Sequence, residues 1–218
     1  MRVYLKIYSG NAIIPYNHQH HLVGTIHKWL GWNNLHGNVA LFSFSRLEKG
    51  ESLKSGLKFG QYCSMFISAY NDEIIKKLIS GIQENPVLFD GLAVREISIQ
   101  ENPDLSQQNN FQVASPILIK RREGDENRHF LFYEDEANDW LKETMLTKMK
   151  IAGIDDPTFD IFFNKNYSNS KVSLIDYKGI KNKVNWCPII MNGKPETKAF
   201  IWNVGVGNST GIGFGAIR

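Results

Sequence analysis

Asn71-Asp72-Glu73-Ile74-Ile75-Lys76-Lys77-Leu78-Ile79-Ser80-Gly81-Ile82-Gln83-Glu84-Asn85-Pro86 is the stretch that decides the fold. Ile74, Ile75, Leu78, Ile79 and Ile82 recur at helical spacing and predict one apolar face. Asp72 and Glu73 fall in the first turn, where the helix dipole favours negative charge. Asn85-Pro86 stops the helix, because the residue before a proline is pushed out of the helical region. Upstream, 61–69 reads as a strand. Downstream, Leu92, Val94, Ile97 and Ile99 alternate with polar residues, so 92–100 reads as another.

The pattern extends toward the start of the chain. Residues 3–8 form a strand, and a helix follows over roughly 17–31 with Asn17 as its N-cap. Leu22, Ile26, Trp29 and Leu30 line its apolar face. A strand at 39–45 precedes a loop rich in Lys, Gly and Ser. The order is β-α-β-β-α-β, the ferredoxin-like arrangement.

After a polar linker, Asn102 to Asn110, the pattern partly repeats. A strand is expected over 111–120 and a helix over 135–152. That helix turns Ala137, Leu141, Met145 and Met149 inward, and Gly153 ends it. Strands are expected near 158–163, 171–177, 183–191, 198–206 and 212–217, with no second helix. The expectation is an α+β chain of two tandem ferredoxin-like (RRM-like) lobes, 1–101 and 111–218. The second lobe is degenerate and strand-rich.

Among 218 residues, 42% are hydrophobic, enough for a buried core. No apolar run is long enough to span a membrane. The first residues are too short and too charged for a signal peptide. Cys63 and Cys187 are far apart and belong to no Cys-x-x-Cys pair, which fits reduced thiols in the cytoplasm. The net charge of +3 permits an anionic partner without demanding one. Lys120-Arg121-Arg122 and Lys178, Lys181 and Lys183 are local basic runs. Solvated surface explains them equally well.

The chain ends in a glycine-rich segment, Gly205-Val206-Gly207-Asn208-Ser209-Thr210-Gly211-Ile212-Gly213-Phe214-Gly215. No Gly-Lys-Ser/Thr follows, so it is no Walker loop, and the dinucleotide spacing fails at Thr210. Glycine lets backbone amides approach a phosphate, but it also permits tight strand geometry. Both readings stand.

Five of the six histidines lie within 18–36. His20, Gly24, His27 and Gly31 share a side of the first helix opposite Leu22, Ile26 and Trp29. His27 is therefore no core residue. His20 and His27 are too far apart for a simple metal pair, and no carboxylate completes a set. His18 and His21 read as surface residues. His36 sits in the Gly/Asn loop Gly31-Trp32-Asn33-Asn34-Leu35-His36-Gly37, where a side chain can reach a ligand or simply bond nearby backbone. The aromatic signature of a standard RNA-binding sheet is absent.

Three phrases resemble one family. Ile14-Pro15-Tyr16-Asn17-His18-Gln19 opens the first helix, Ala114-Ser115-Pro116-Ile117-Leu118-Ile119-Lys120-Arg121 opens the second lobe, and Gly205-Val206-Gly207 precedes Gly213-Phe214-Gly215. In this order they resemble the CRISPR-associated endoribonucleases of the Cas-six family, in the RAMP superfamily. The resemblance implies binding of CRISPR repeat RNA and its cleavage without metal or cofactor. His36 matches the family's catalytic histidine, and His27 matches a second one late in the first helix. Gly205, Gly207, Gly211, Gly213 and Gly215, with Lys120 and Arg121, become RNA-binding candidates. The lysine that often follows the catalytic histidine is missing here, leaving Lys28, Lys49 and Lys54 as candidate cations. An effector complex and a homodimer are the further partners to test. The rivals are a non-catalytic RNA-binding member of the superfamily and a ferredoxin-like protein unrelated to nucleic acid.

Overall fold

The computed structural model describes residues 1–31 and 39–218. Its first lobe is built on β1 (Arg2–Tyr8), which pairs antiparallel with β3 (Tyr62–Ala69) on one side and β4 (Ala93–Gln100) on the other. With β2 (Phe42–Phe44) the sheet order is β2-β3-β1-β4. Helices α1 (Gln19–Leu30) and α2 (Asp72–Glu84) connect these strands in the order expected for a ferredoxin-like unit. Val3, Leu5 and Ile7 alternate toward the helices and meet Leu22, Ile26, Trp29, Leu78 and Ile82 in one core.

The α2 stretch behaves as its sequence dictates. Asn71 caps it by accepting the Glu73 amide at 2.8 Å. Gly81 has a second purpose. A Cβ there would lie 2.1 Å from the Trp29 carbonyl oxygen, so the missing side chain lets the two helices touch. The Trp29 indole then donates to the Asn85 carbonyl at 2.7 Å. By contrast, α1 starts two residues later than expected. Asn17 does not cap it, and the flanking residue is His18, in a helical conformation without a side-chain cap. The segment between β2 and β3 is not all loop: Glu51–Leu53 and Gly56–Lys58 form a hairpin, extended by Ile13–Ile14.

The second lobe repeats the plan. Strands β5 (Asn110–Phe111), β6 (Asp160–Phe163) and β9 (Ile189–Asn192) form a sheet in the order β6-β9-β5. Helix α3 (Glu136–Ile151) packs Ala137, Leu141, Met145 and Met149 inward, and Gly153 leaves it at φ +70°. A hairpin, β7 (Lys171–Tyr177) and β8 (Ile180–Trp186), is inserted before β9. A second hairpin joins Lys120–Glu123 to Glu126–His129.

Three strand expectations in this half give way, and a fourth, 183–191, divides into β8 and β9. Residues Pro195–Val204 form a helix, α4, in place of a strand over 198–206. Nearly every side of it is buried, so no helical stripe marks it. The expected strand at 212–217 shrinks to a bridge between Ile217 and Val113, because Gly213 and Gly215 take φ +90° and +70°. The strand over 111–120 is broken where Pro116 has no amide to offer. Phe111 survives in β5 and Lys120 in the second-lobe hairpin, and between them only bridges at Val113 and Ile117 remain. With α4 in place, the lobe has both helices of the ferredoxin-like plan and a last strand reduced to a single bridge.

The lobes meet along β1 and α4. Arg2, fully buried, donates to the carbonyls of Trp202 at 2.9 Å and Ile217 at 2.8 Å. Ser43 and Ser68 both donate to the Asn203 carbonyl at 3.0 Å. The free carbonyls at the end of α4 are thus satisfied by side chains of the first sheet. Among the described residues, no helix is long and apolar enough to cross a membrane.

Candidate nucleic-acid cleft

The glycine-rich segment leaves α4 at Gly205 and threads between the lobes. Val206 donates to the Gly215 carbonyl, Asn208 to that of Leu118 and Gly215 to that of Pro116, each at 2.8 Å. The Asn208 side chain accepts the Lys120 amide at 2.9 Å. Ser209, left-handed at φ +61°, opens a single 3-10 turn over Thr210–Ile212.

This threading explains the glycines. A Cβ would lie 1.8 Å from the Val206 oxygen at Gly215 and 2.6 Å from the Leu118 oxygen at Gly207. At Gly205, Gly211 and Gly213 it would press on Ser43, Ala40 and Phe44 at 2.7–2.9 Å. The atoms that approach these glycines closely belong to the protein, so tight internal geometry accounts for their composition. Only Gly207 and Gly211 of the five line the open cleft.

That cleft, about 480 Å³, lies between α1, α3 and the glycine loop. His27 enters it from α1. Arg121 enters from the hairpin of the second lobe, held by the Trp140 carbonyl at 3.0 Å and the Thr144 hydroxyl at 2.9 Å. Its guanidinium also lies 4.7 Å from the Trp140 ring centroid, so its plane is fixed before any ligand arrives. Lys148 forms part of the wall from α3 and is pushed down to about pKa 7 by burial. Its ammonium donates to the Gly205 carbonyl and to the Thr210 hydroxyl, both at 3.2 Å.

The remaining candidates divide clearly. His36 lies outside the described residues. Lys28 points away from the cleft and donates to the Val87 carbonyl at 2.7 Å. Lys49 and Lys54 are exposed on the first-lobe hairpin segment, and neither lines the cleft. Lys120 contributes its amide to Asn208, while its side chain is not part of the wall. His18, expected at the surface, is 3% exposed. Its Nδ1 faces the Pro15 carbonyl at 2.7 Å, and burial lowers its pKa. His21 is exposed, as expected. Lys148 had a legible signal. It follows Leu141 and Met145 at helical spacing, a charge in an apolar stripe.

Residues 100–218 match the family model described as CRISPR associated protein Cas6, C-terminal. The chain belongs to the Cas6 family. A CRISPR-associated endoribonuclease-like Cas6 protein of Pyrococcus furiosus is 25% identical, covering 100% of this chain and 98% of its own length. A solved structure from the characterisation of a Cas6-related gene of Pyrococcus furiosus superposes with a TM-score of 0.83 at 26% identity. That match covers 100% of this chain and 97% of the other. A RAMP protein binding different RNA substrates has the same fold, with a TM-score of 0.82 at 24% identity over 100% of this chain and 98% of its own. Tandem ferredoxin-like lobes are thus what this Cas6 family member shares with its neighbours.

Proposed function

We propose that this Cas6 protein binds the repeat of a CRISPR precursor RNA across the cleft and cuts it once per repeat without a metal. The observation that carries the reading is the convergence of His27 from the first lobe with Arg121 and Lys148 from the second on one cleft. A proton-transfer group and fixed cations are what RNA self-cleavage needs. The names of the relatives support the substrate class, since one is endoribonuclease-like and another binds RNA.

The reaction is attack of a ribose 2′-OH on the adjacent phosphorus. A base removes the 2′-OH proton, the new P–O2′ bond forms, and the P–O5′ bond breaks. An acid protonates the departing 5′-oxygen. The products are a 2′,3′-cyclic phosphate and a 5′-OH. His36 and His27 are the pair proposed to share this proton work. Arg121 takes the phosphate-stabilising role first offered to Lys28, Lys49 and Lys54, because it is a permanently charged cation held in place on the cleft wall.

End-labelled repeat RNA tests the reading. Cleavage should persist in excess EDTA and leave a cyclic phosphate. RNA with one 2′-deoxy sugar upstream of the cut should bind and stay intact. Binding of the normal repeat without any cleavage would establish the non-catalytic alternative.

A further inference from the structure

Lys148 is a buried cation that forms part of the wall of the cleft. It is 3% exposed, and its two partners, the Gly205 carbonyl and the Thr210 hydroxyl, carry no charge. A buried ammonium without a carboxylate is costly, and an apolar side chain of similar length would fill the space at lower cost. The structure keeps the charge at one particular place. Thr210 passes the contact on, donating to the Ala40 carbonyl at 3.4 Å. Lys148, Thr210 and Ala40 therefore link α3, the glycine loop and the chain just before β2 across the wall of the cleft.

Among the described residues, the charged and titratable groups facing this site come from three elements. They are His27 on α1, Arg121 on the hairpin and Glu143 on α3 itself. Glu143 is 59% exposed and engages Arg121 at 3.4 Å. The described residues of the glycine loop and of the β2 side contribute none.

We propose that Lys148 is a positioning cation for a phosphodiester in this cleft: it takes up a proton as the anion enters and, so charged, holds Thr210 and the glycine loop in the binding geometry. This rests on the RNA reading of the cleft. The physical basis is ordinary linkage. With the cleft empty, burial leaves the amine near half-protonated at neutral pH, its pKa lowered to about 7. A nearby anion favours the charged form, so binding draws a proton from solvent. Lys148 positions rather than catalyses, because two of its three donors hold the protein oxygens that shape the loop.

The probe is repeat RNA carrying a 2′-deoxy sugar at the cut site, titrated calorimetrically at pH 8 in two buffers of different protonation heat. Wild-type protein should take up about one proton per RNA. Lys148→Met should take up none. Above pH 7 the wild-type Kd should weaken by up to about tenfold per pH unit. Lys148→Arg, charged throughout, should bind with a flat profile from pH 7 to 9. Absence of wild-type binding at every pH would remove the RNA reading itself. Binding without proton uptake, or with uptake retained in Lys148→Met, would overturn the role of Lys148 and leave the RNA reading intact. Should Lys148→Met fail to fold, the comparison with Lys148→Arg decides alone. Uptake equal to wild type in that variant overturns the proposal.

Discussion

The guanidinium of Arg2 lies 3.3 Å from the centroid of the Trp202 ring while donating to the carbonyl of the same residue at 2.9 Å. On its other side is Phe66, with the ring centroid at 3.8 Å. Arg2 has no carboxylate partner and is pushed down to about pKa 10 by burial. Two aromatic faces and two carbonyls hold the charge instead, and together they fasten the first strand to the last helix.

That geometry separates Arg from Lys. Arg2→Lys keeps a cation but loses the plane that stacks between the rings and one of the two carbonyl bonds. The expected loss is about 1–3 kcal/mol of stability, read as a lower denaturant midpoint. A midpoint equal to wild type would mean that the stacked guanidinium is not what fastens the lobes.

Glycine substitutions should separate packing from conformational freedom. Gly215→Ala places a Cβ 1.8 Å from the Val206 oxygen at a position with φ +70°, so the variant should unfold or aggregate. Gly24, exposed on α1 with nothing within 4 Å of where a Cβ would sit, is the control. Gly24→Ala should raise stability by about 0.5–1 kcal/mol, the usual cost of glycine inside a helix. Thermal melts of the two proteins check both signs. A stable Gly215→Ala would show that the loop can move away from Val206.

Much of this was legible in the sequence, and the exceptions have physical causes. The first lobe was readable because its helices each have one wet side: Leu22, Ile26 and Trp29 on α1 stand out against exposed neighbours. Helix α4 has no such side. Phe200, Ile201, Trp202 and Val204 are all buried, so their run resembles a strand. Pro195 at its start and Gly205 at its end were the available signals. In the cleft, His27 could be placed by periodicity. Arg121 could be singled out as part of a basic run and of the phrase that opens the second lobe, but not placed, since the Trp140 and Thr144 contacts that orient it cross from a distant element. The glycines were visible, but composition alone could not say whether phosphate or the protein's own backbone approaches them.

His27 lines the cleft from α1, and its proposed role is proton transfer. His27→Ala should slow single-turnover cleavage of repeat RNA, by up to about 10²–10⁴-fold if its share is that of a full acid or base. Filter binding should stay within a few-fold of wild type, because the cations remain. His36→Ala should abolish cutting with the same retention of binding. An unchanged cleavage rate in either variant removes that histidine from the mechanism.

Lys148 predicts an unusual pH dependence of stability. Its pKa is lowered from the ordinary 10.5 to about 7 in the folded protein. Between those values the unfolded chain holds a proton that the folded chain has released. Stability from this group therefore rises with pH through that window and is least below pH 7, where the folded state must bury a charge. Lys148→Met removes the titration. The variant's Tm relative to wild type should thus be most favourable near pH 6 and should decline steadily toward pH 9. The sign is opposite to that of a surface lysine paired with a carboxylate, whose loss destabilises wherever both are charged. Replacing a buried ion by an apolar residue is worth up to about 1–4 kcal/mol in favourable cases, reduced here by the two oxygens left without a donor. Melting curves at pH 6, 7.5 and 9 test the trend. A Tm difference that stays constant with pH would mean that Lys148 titrates alike in the folded and unfolded chain, and that its burial is not felt as a charge.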